Sequence, residues 1–237
     1  MEGTGGRAGE PMLDCAGGCE EAQCSRSCYE RGHAYSLSYR NLEEMLAERG
    51  VEVDHSSVYR WVQKFTPQLE ATFRKGKKRP VGTSWRMDET YIKVKGQWKY
   101  LYRAVDSEGQ TIDFLLTAHR DKKAARRFFK KAICQHGLPE KITIDKSGAN
   151  TAALEALKEE TGHAIEMRQN KYLNNLVEQD HRAVKRIVRP MLGFHSFRSA
   201  RVTLQGIELM HMIKKGQMIA TSGQKLSVAG QFYSLAA

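Results

Sequence analysis

The chain has 237 residues, 41% of them apolar, enough for one substantial domain and a smaller one around a packed core. Lys and Arg outnumber Asp and Glu by 38 to 27, for a formal charge of +11, which points to a polyanionic partner, nucleic acid before an anionic membrane surface. No apolar run approaches the ~18 residues that would span a bilayer, and MEGTGGRAGEPML lacks the basic and apolar blocks of a secretory signal. These features fit a cytosolic protein with reduced cysteines.

Residues 1–33 are Gly-rich and hold four of the five cysteines, Cys15, Cys19, Cys24 and Cys28. Their spacings of three, four and three residues are looser than a paired zinc knuckle, and no apolar scaffold surrounds them. The stretch reads as a disordered leader, with structural zinc as the alternative.

Residues 34–72 carry a helix-turn-helix pattern. Leu42, Met45 and Leu46 form an apolar stripe that Gly50 closes. Asp54 is a natural N-cap for a second helix with Val58, Trp61, Val62 and Phe65 on one side and Pro67 as its expected stop. His55, Ser56, Tyr59, Arg60, Gln63 and Lys64 lie off that stripe, and their types can reach base edges and phosphates. An ordinary helical hairpin with a solvated face is the competing account. Residues 73–83, FRKGKKRPVGT, read as a basic linker that tracks a phosphate backbone, with a solvated charge run equally compatible.

Three strand-like runs follow, SWRMDETYIKVKG, QWKYLYRAVDSEG and QTIDFLLTAHRD, joined by Gly turns as an antiparallel meander. DKKAARRFFKKAICQHG is helical, with Ala125, Phe128, Phe129, Ala132 and Ile133 on its buried side. KITIDKSG is a short strand, NTAALEALKEETG a helix, HAIEMRQ a strand and NNLVEQDHRAVKRIVR a helix. The order predicts an α/β architecture, an N-terminal helix-turn-helix followed by a ribonuclease-H-like mixed sheet flanked by helices over 84–195. Residues 196–237 add an amphipathic helix with Leu204, Ile207, Met210 and Ile213, suited to the sheet or to a second subunit.

Two acids precede the basic run of NKYLNNLVEQDHRAVKRIVRP. At ~100° per residue, Asp180 falls on the apolar arc of Val177, Val184, Ile187, Val188 and Met191. It should be structural, bonded or paired with a base. Glu178 lies about a quarter turn away, with Arg182, Lys185 and Arg189. A carboxylate among phosphate-binding bases would repel DNA unless a divalent metal intervened, and two-metal phosphoryl transfer needs converging carboxylates. Asp88, in the first strand, and Asp145, ending the fourth, would meet it at one sheet edge. Glu89 alternates to the other face, Asp106 sits in a turn that invites local hydrogen bonds, and Asp113 is mid-strand. Capping of a following loop or helix is the competing account of Asp88 and Asp145.

The blocks LSYRNLEEMLAERGVEVDHSSVYRWVQKF, WRMDETYIKVKGQWKYLYRAVDSEGQTIDF, TIDKSGAN and NKYLNNLVEQDHRAVKR resemble the DDE transposases of bacterial insertion-sequence family six, over roughly residues 36–217. The resemblance implies that Asp88, Asp145 and Glu178 hold two Mg²⁺ ions, with Mn²⁺ as a substitute, and that Lys185 contacts the transposon end. It implies cutting of element ends and joining to target DNA by at least a homodimer at the bacterial nucleoid. A catalytically inactive helix-turn-helix DNA-binding protein is the alternative. Two departures accompany it. The leader stands where the family has an apolar helix, which implies a shifted frame, a displaced start or a decayed copy. Asp145 and Glu178 are separated by 32 residues, about two fewer than is common in the family.

Overall fold

In the computed structural model the described residues are 37–145, 147–170, 174–219 and 226–236. The four leader cysteines, and with them the zinc expectation, lie outside these residues.

Helix α1, Tyr39–Ala47, opens on a reciprocal cap: Ser38 Oγ accepts from the Asn41 amide at 3.1 Å while the Asn41 side chain accepts from Ser38 N at 2.9 Å. Helix α2, His55–Thr72, is capped by Asp54, whose carboxylate accepts from the Ser56 amide at 2.6 Å. Leu42, Leu46 and Val58 bury the crossing of the two helices.

Pro67 does not end α2. The helix runs five residues beyond it and passes into a wider π-helical turn at Phe73–Lys77. Proline in a helix interior costs about 3 kcal/mol. Tertiary burial offsets this, because Leu69 and Phe73 enter the main core and Glu70 accepts from Gln205 of a later helix at 3.2 Å.

The basic stretch that follows is docked against the fold. Arg74 is paired with Glu70 at 2.6 Å and with the fully buried Asp113 at 2.9 Å. Lys78 Nζ donates to the Ile112 carbonyl at 2.5 Å. Burial and the neighbouring Arg74 pull the Lys78 amine down to about 7. Two of the five cations expected to follow a phosphate backbone therefore serve the protein interior.

Five strands form one mixed sheet in the order β3-β2-β1-β4-β5. These are β1 Ser84–Val94, β2 Gln97–Val105, β3 Thr111–Thr117, β4 Lys141–Ile144 and β5 Glu166–Gln169. The first three make the antiparallel meander, and β4 and β5 add in parallel beside β1. The β1–β2 hairpin turns on Lys95 and Gly96, with φ of 51° and 74°, the positive pair that a two-residue hairpin turn requires.

Alternation along β1 separates two cores. Trp85 and Met87 face helix α3, Lys122–His136, and helix α4, Gly148–Thr161, packing with Phe128, Phe129, Leu154 and Leu157. Ile92 and Val94 face the other way, toward helix α5, Asn175–Val188, and helix α6, Phe197–Lys214. This second core also takes in Val62, Leu69 and Phe73, so α2 is built into it. Helix α6 thus packs within the chain, on the sheet and on α2. A further helix, α7, Val228–Ala236, adds Phe232 and Leu235 to the same core and was not foreseen from the pattern.

Helix α3 begins at Asp121, whose side chain accepts from the Ala124 amide at 2.7 Å. Asp121→Ala should cost about 1 kcal/mol, read as a lower urea midpoint with an unchanged slope. Among the described residues, no helix is long and apolar enough to cross a membrane.

Candidate active site

The parallel pairing of β1 with β4 sets two acids level. Arg86 is paired with Thr143. Two residues further along are Asp88, still on β1, and Asp145, one residue past the end of β4. Both carboxylates are partly accessible, at 22% and 35%.

Asp145 is held by three donors. Its Oδ1 accepts from the Ser147 amide and the Asn150 Nδ2, each at 3.2 Å, and its Oδ2 meets Arg120 Nη2 at 3.3 Å. Arg120 also pairs with Glu89, and Asn150 Nδ2 donates to Glu89 Oε2 at 3.0 Å. Glu89 does leave on the opposite face from Asp88, as alternation requires, yet its carboxylate joins the same end of the sheet. Burial raises the Glu89 carboxyl above its ordinary range, against the pull of Asn150 and Arg120, and the negative charges of Asp145 and Asp88 add to the rise. Acid crowding of this kind at a sheet edge favours a cation.

Glu178 lies in the first turn of α5, which packs on β1. It is 44% exposed, with Arg182 Nη2 4.0 Å away. One turn on, the buried His181 places Nε2 3.5 Å from Asp88 Oδ2, and neither ring nitrogen has a hydrogen-bond partner. The oxygens of Asp88, Asp145 and Glu178 do not all lie within 4.8 Å of one another. Among the described residues that closeness is met by Glu43, Asp54 and His55 beside the α1–α2 turn.

Asp180 is interior, as its place on the apolar arc predicts. Its Oδ2 pairs with Arg103 at 3.0 Å and with Lys215, and its Oδ1 faces His211 Nε2 at 3.3 Å. Burial would raise its carboxyl, but the His211 hydrogen bond and the charges of Arg103 and Lys215 outweigh burial and hold it far below the usual carboxylate range. Asp106 and Asp113 also have local roles. Asp106 accepts from the amides of Gly82, Glu108 and Gln110, and Asp113 binds Arg74 and Lys131.

The cations expected beside Glu178 follow it along α5. Arg182 and Arg189 are exposed and Lys185 is half-buried. On α2, Ser56, Tyr59, Arg60 and Lys64 are exposed, and Gln63 is half-buried. His55 turns back onto α1, its Nδ1 2.9 Å from Glu43 Oε2, so its ring is engaged within the protein. Tyr59 packs against Tyr39, with ring centroids 6.0 Å apart.

Sequence reasoning missed Arg120, Asn150 and His181. Arg120 stands in a loop with no periodicity to mark it. His181 could have been found, since it is three residues after Glu178 and shares its side of the helix.

A family model described as a DDE domain matches residues 82–217. The transposase for insertion sequence-like element IS431mec of Staphylococcus aureus is 44% identical over 186 residues, 76% of this chain and 80% of that protein. The transposase for insertion sequence element IS257 in transposon Tn4003 of S. aureus is 43% identical over the same shares. The HTLV-2 integrase catalytic core domain in complex with magnesium (trimeric form) has a TM-score of 0.45 at 14% identity, covering 68% of this chain and 100% of that one. The domain match across the sheet and its helices, with the identity to these transposases across most of the chain, means that this protein belongs to the DDE transposases of insertion-sequence family six.

Proposed function

We propose that this transposase cuts DNA at the ends of its element and joins the freed 3′-hydroxyl to target DNA, using Asp88, Asp145 and Glu178 as a divalent-metal site. The observation that carries the reading is that Asp88 on β1 and Asp145 just past the end of the adjacent parallel β4 come at one end of the sheet, with the helix of Glu178 packed on β1. The donor set fits a hard cation, since it consists of carboxylate oxygens alone. The like-charge crowding of Glu89 with Asp145 and Asp88 is what an added positive charge would relieve. When bound, two Mg²⁺ ions, or Mn²⁺ in their place, would polarise the scissile phosphate and activate water and then the 3′-hydroxyl.

The rest falls to the chain's own groups. Arg182, Lys185 and Arg189 hold phosphates of the end, placing the bond to be cut over the acids. Ser56, Tyr59, Arg60 and Lys64, with Gln63, present the second helix of the helix-turn-helix to a groove, and His55 braces that helix on α1. In the first step a water oxygen bonds to phosphorus as the bond to the 3′-oxygen breaks. In the second, that 3′-oxygen attacks a target phosphorus and displaces the target strand's own 3′-oxygen. Two ends must be joined, so the working unit is at least a homodimer, acting on DNA in the bacterial cytoplasm.

The Arg120 bridge onto Asp145 and Glu89 favours a second reading, a binder whose cation site is filled by its own guanidinium. A labelled duplex of the element's end, incubated with the full chain and Mg²⁺, separates the readings. The transposase gives nicked and joined strands on a denaturing gel. The binder gives a shifted duplex and no new strands. Cutting without joining would make the protein a nuclease of the same fold.

A further inference from the structure

Beside the acids, β1 leaves an edge open. Pairing with β4 reaches only Arg86, and the next segment on that edge is Phe194, which bridges Val94. Between them lies a cleft of about 550 Å³ whose walls include Tyr91, Lys93, Trp98, Lys185, Arg189 and Leu192. Trp98 is 60% exposed and Tyr91 47%. The two rings meet edge to face, 6.4 Å between centroids at 77°. Among the described residues, no carboxylate lines the cleft.

Large aromatic rings left open to solvent beside three cations match one ligand chemistry, a nucleobase with its phosphate. Bases stack on aromatic faces whatever their identity, and Lys and Arg take the backbone. A base inside a duplex shows no free face, so the occupant must be unpaired or turned out of the stack. A second copy of this chain is a poorer fit, because it would bring a like-charged surface to a basic cleft.

Position ties the cleft to the proposed chemistry. Tyr91 is three residues beyond Asp88 on β1, ~10 Å along the strand and on the opposite face, and the cleft wraps the open edge between the two faces, its lining including Ile92 and Lys185 as well as Tyr91. Lys185 is two helical turns beyond Glu178, again ~10 Å. At ~3.4 Å per nucleotide, that places the base within about three positions of the scissile phosphate. Resting on the transposase reading above, we propose that the Tyr91–Trp98 cleft binds one unstacked nucleotide of the end strand, next to the bond to be cut.

The test begins with fluorescein-labelled oligothymidine and the full chain, followed by anisotropy. Trp98→Ala should weaken binding about tenfold, Trp98→Phe should restore most of it, and binding of a random duplex should change less than about twofold. As a check that needs no variant, wild-type protein is irradiated with end duplexes carrying 5-iodouracil at single positions. Crosslinks should map to Trp98 or Tyr91 from a position within three nucleotides of the cut. Unchanged oligothymidine affinity in Trp98→Ala, or crosslinks that map elsewhere, would overturn the inference while leaving end cutting intact. A change of sedimenting mass in Trp98→Ala without a change in affinity would also overturn it and make the cleft a subunit contact. If oligothymidine stacks on Trp98 but the wild type cuts no end, the cleft stands as a nucleic-acid site and the transposase reading falls.

Discussion

Glu178→Gln is expected to leave the protein folded and able to bind end DNA, and to lower strand cutting by at least about a hundredfold. The side chain is 44% exposed and its nearest ionic partner, Arg182, is 4.0 Å away. A surface change with so little contact should alter stability by less than about 0.5 kcal/mol. The amide keeps the shape and loses the charge, so cation binding and cutting should fail together. Asp88→Asn and Asp145→Asn should lose cutting as fully, but Asp145→Asn also frees Arg120 from one partner. Cutting and melting temperature measured on the same preparation check this. Glu178→Gln cutting at the wild-type rate would remove Glu178 from the site.

The largest effect on stability is expected at Arg103. Its side chain is fully buried and binds Glu208 at 2.9 Å, Thr111 at 2.9 Å and Asp180 at 3.0 Å. Arg103→Met strands Glu208, itself fully buried, and removes one of the partners of Asp180. Breaking one side of a buried ion network in this way costs about 3–5 kcal/mol, measurable by urea unfolding. Adding Glu208→Gln should recover part of the loss, because the stranded charge disappears. Activity should fall as well. Arg103 is the cross-strand partner of Asp88, and Asp180 is two residues beyond Glu178 on α5. The Arg103–Asp180 pair therefore helps to fix α5 against the strand that carries Asp88.

The same network sets a pH dependence. The Asp180 carboxyl is held below its ordinary value of 3.8 in the folded protein. Its stabilising contribution is complete above that unfolded value and is lost as pH falls from there toward the folded value. Asp180→Asn should be less stable than wild type at neutral pH, and the gap should narrow below about pH 4.

Much of the fold was legible because its patterns are strong. Runs of β-branched and aromatic residues between Gly turns marked the three strands of the meander, KITI read as a short strand, and Phe128 with Phe129 marked the buried side of α3. Asp180 was assigned to the interior from helical angle alone, and its partners proved to be Arg103, His211 and Lys215. What stayed hidden depends on tertiary contact. Pro67 signals a stop locally, but Leu69 and Phe73 carry the helix past it into the core. Arg74 and Lys78 look like solvated charge in sequence, and only the fold brings Asp113 and the Ile112 carbonyl to them. At the site, the approach of Asp88 and Asp145 follows from β1 and β4 being neighbours, which the ribonuclease-H-like reading of the element order implied. Arg120, which bridges Glu89 and Asp145 across 25 to 31 residues, carries no local mark.

The central claim is that acids from two strands and a helix jointly bind a divalent cation, and anomalous scattering from Mn²⁺-soaked crystals tests it most directly. The account predicts Mn²⁺ density between Asp88 and Asp145, with Glu178 drawn in as a ligand and Arg120 turned away from Asp145. Density confined to Glu43, Asp54 and His55, with the Arg120 bridge intact and the sheet edge empty at saturating Mn²⁺, would contradict it.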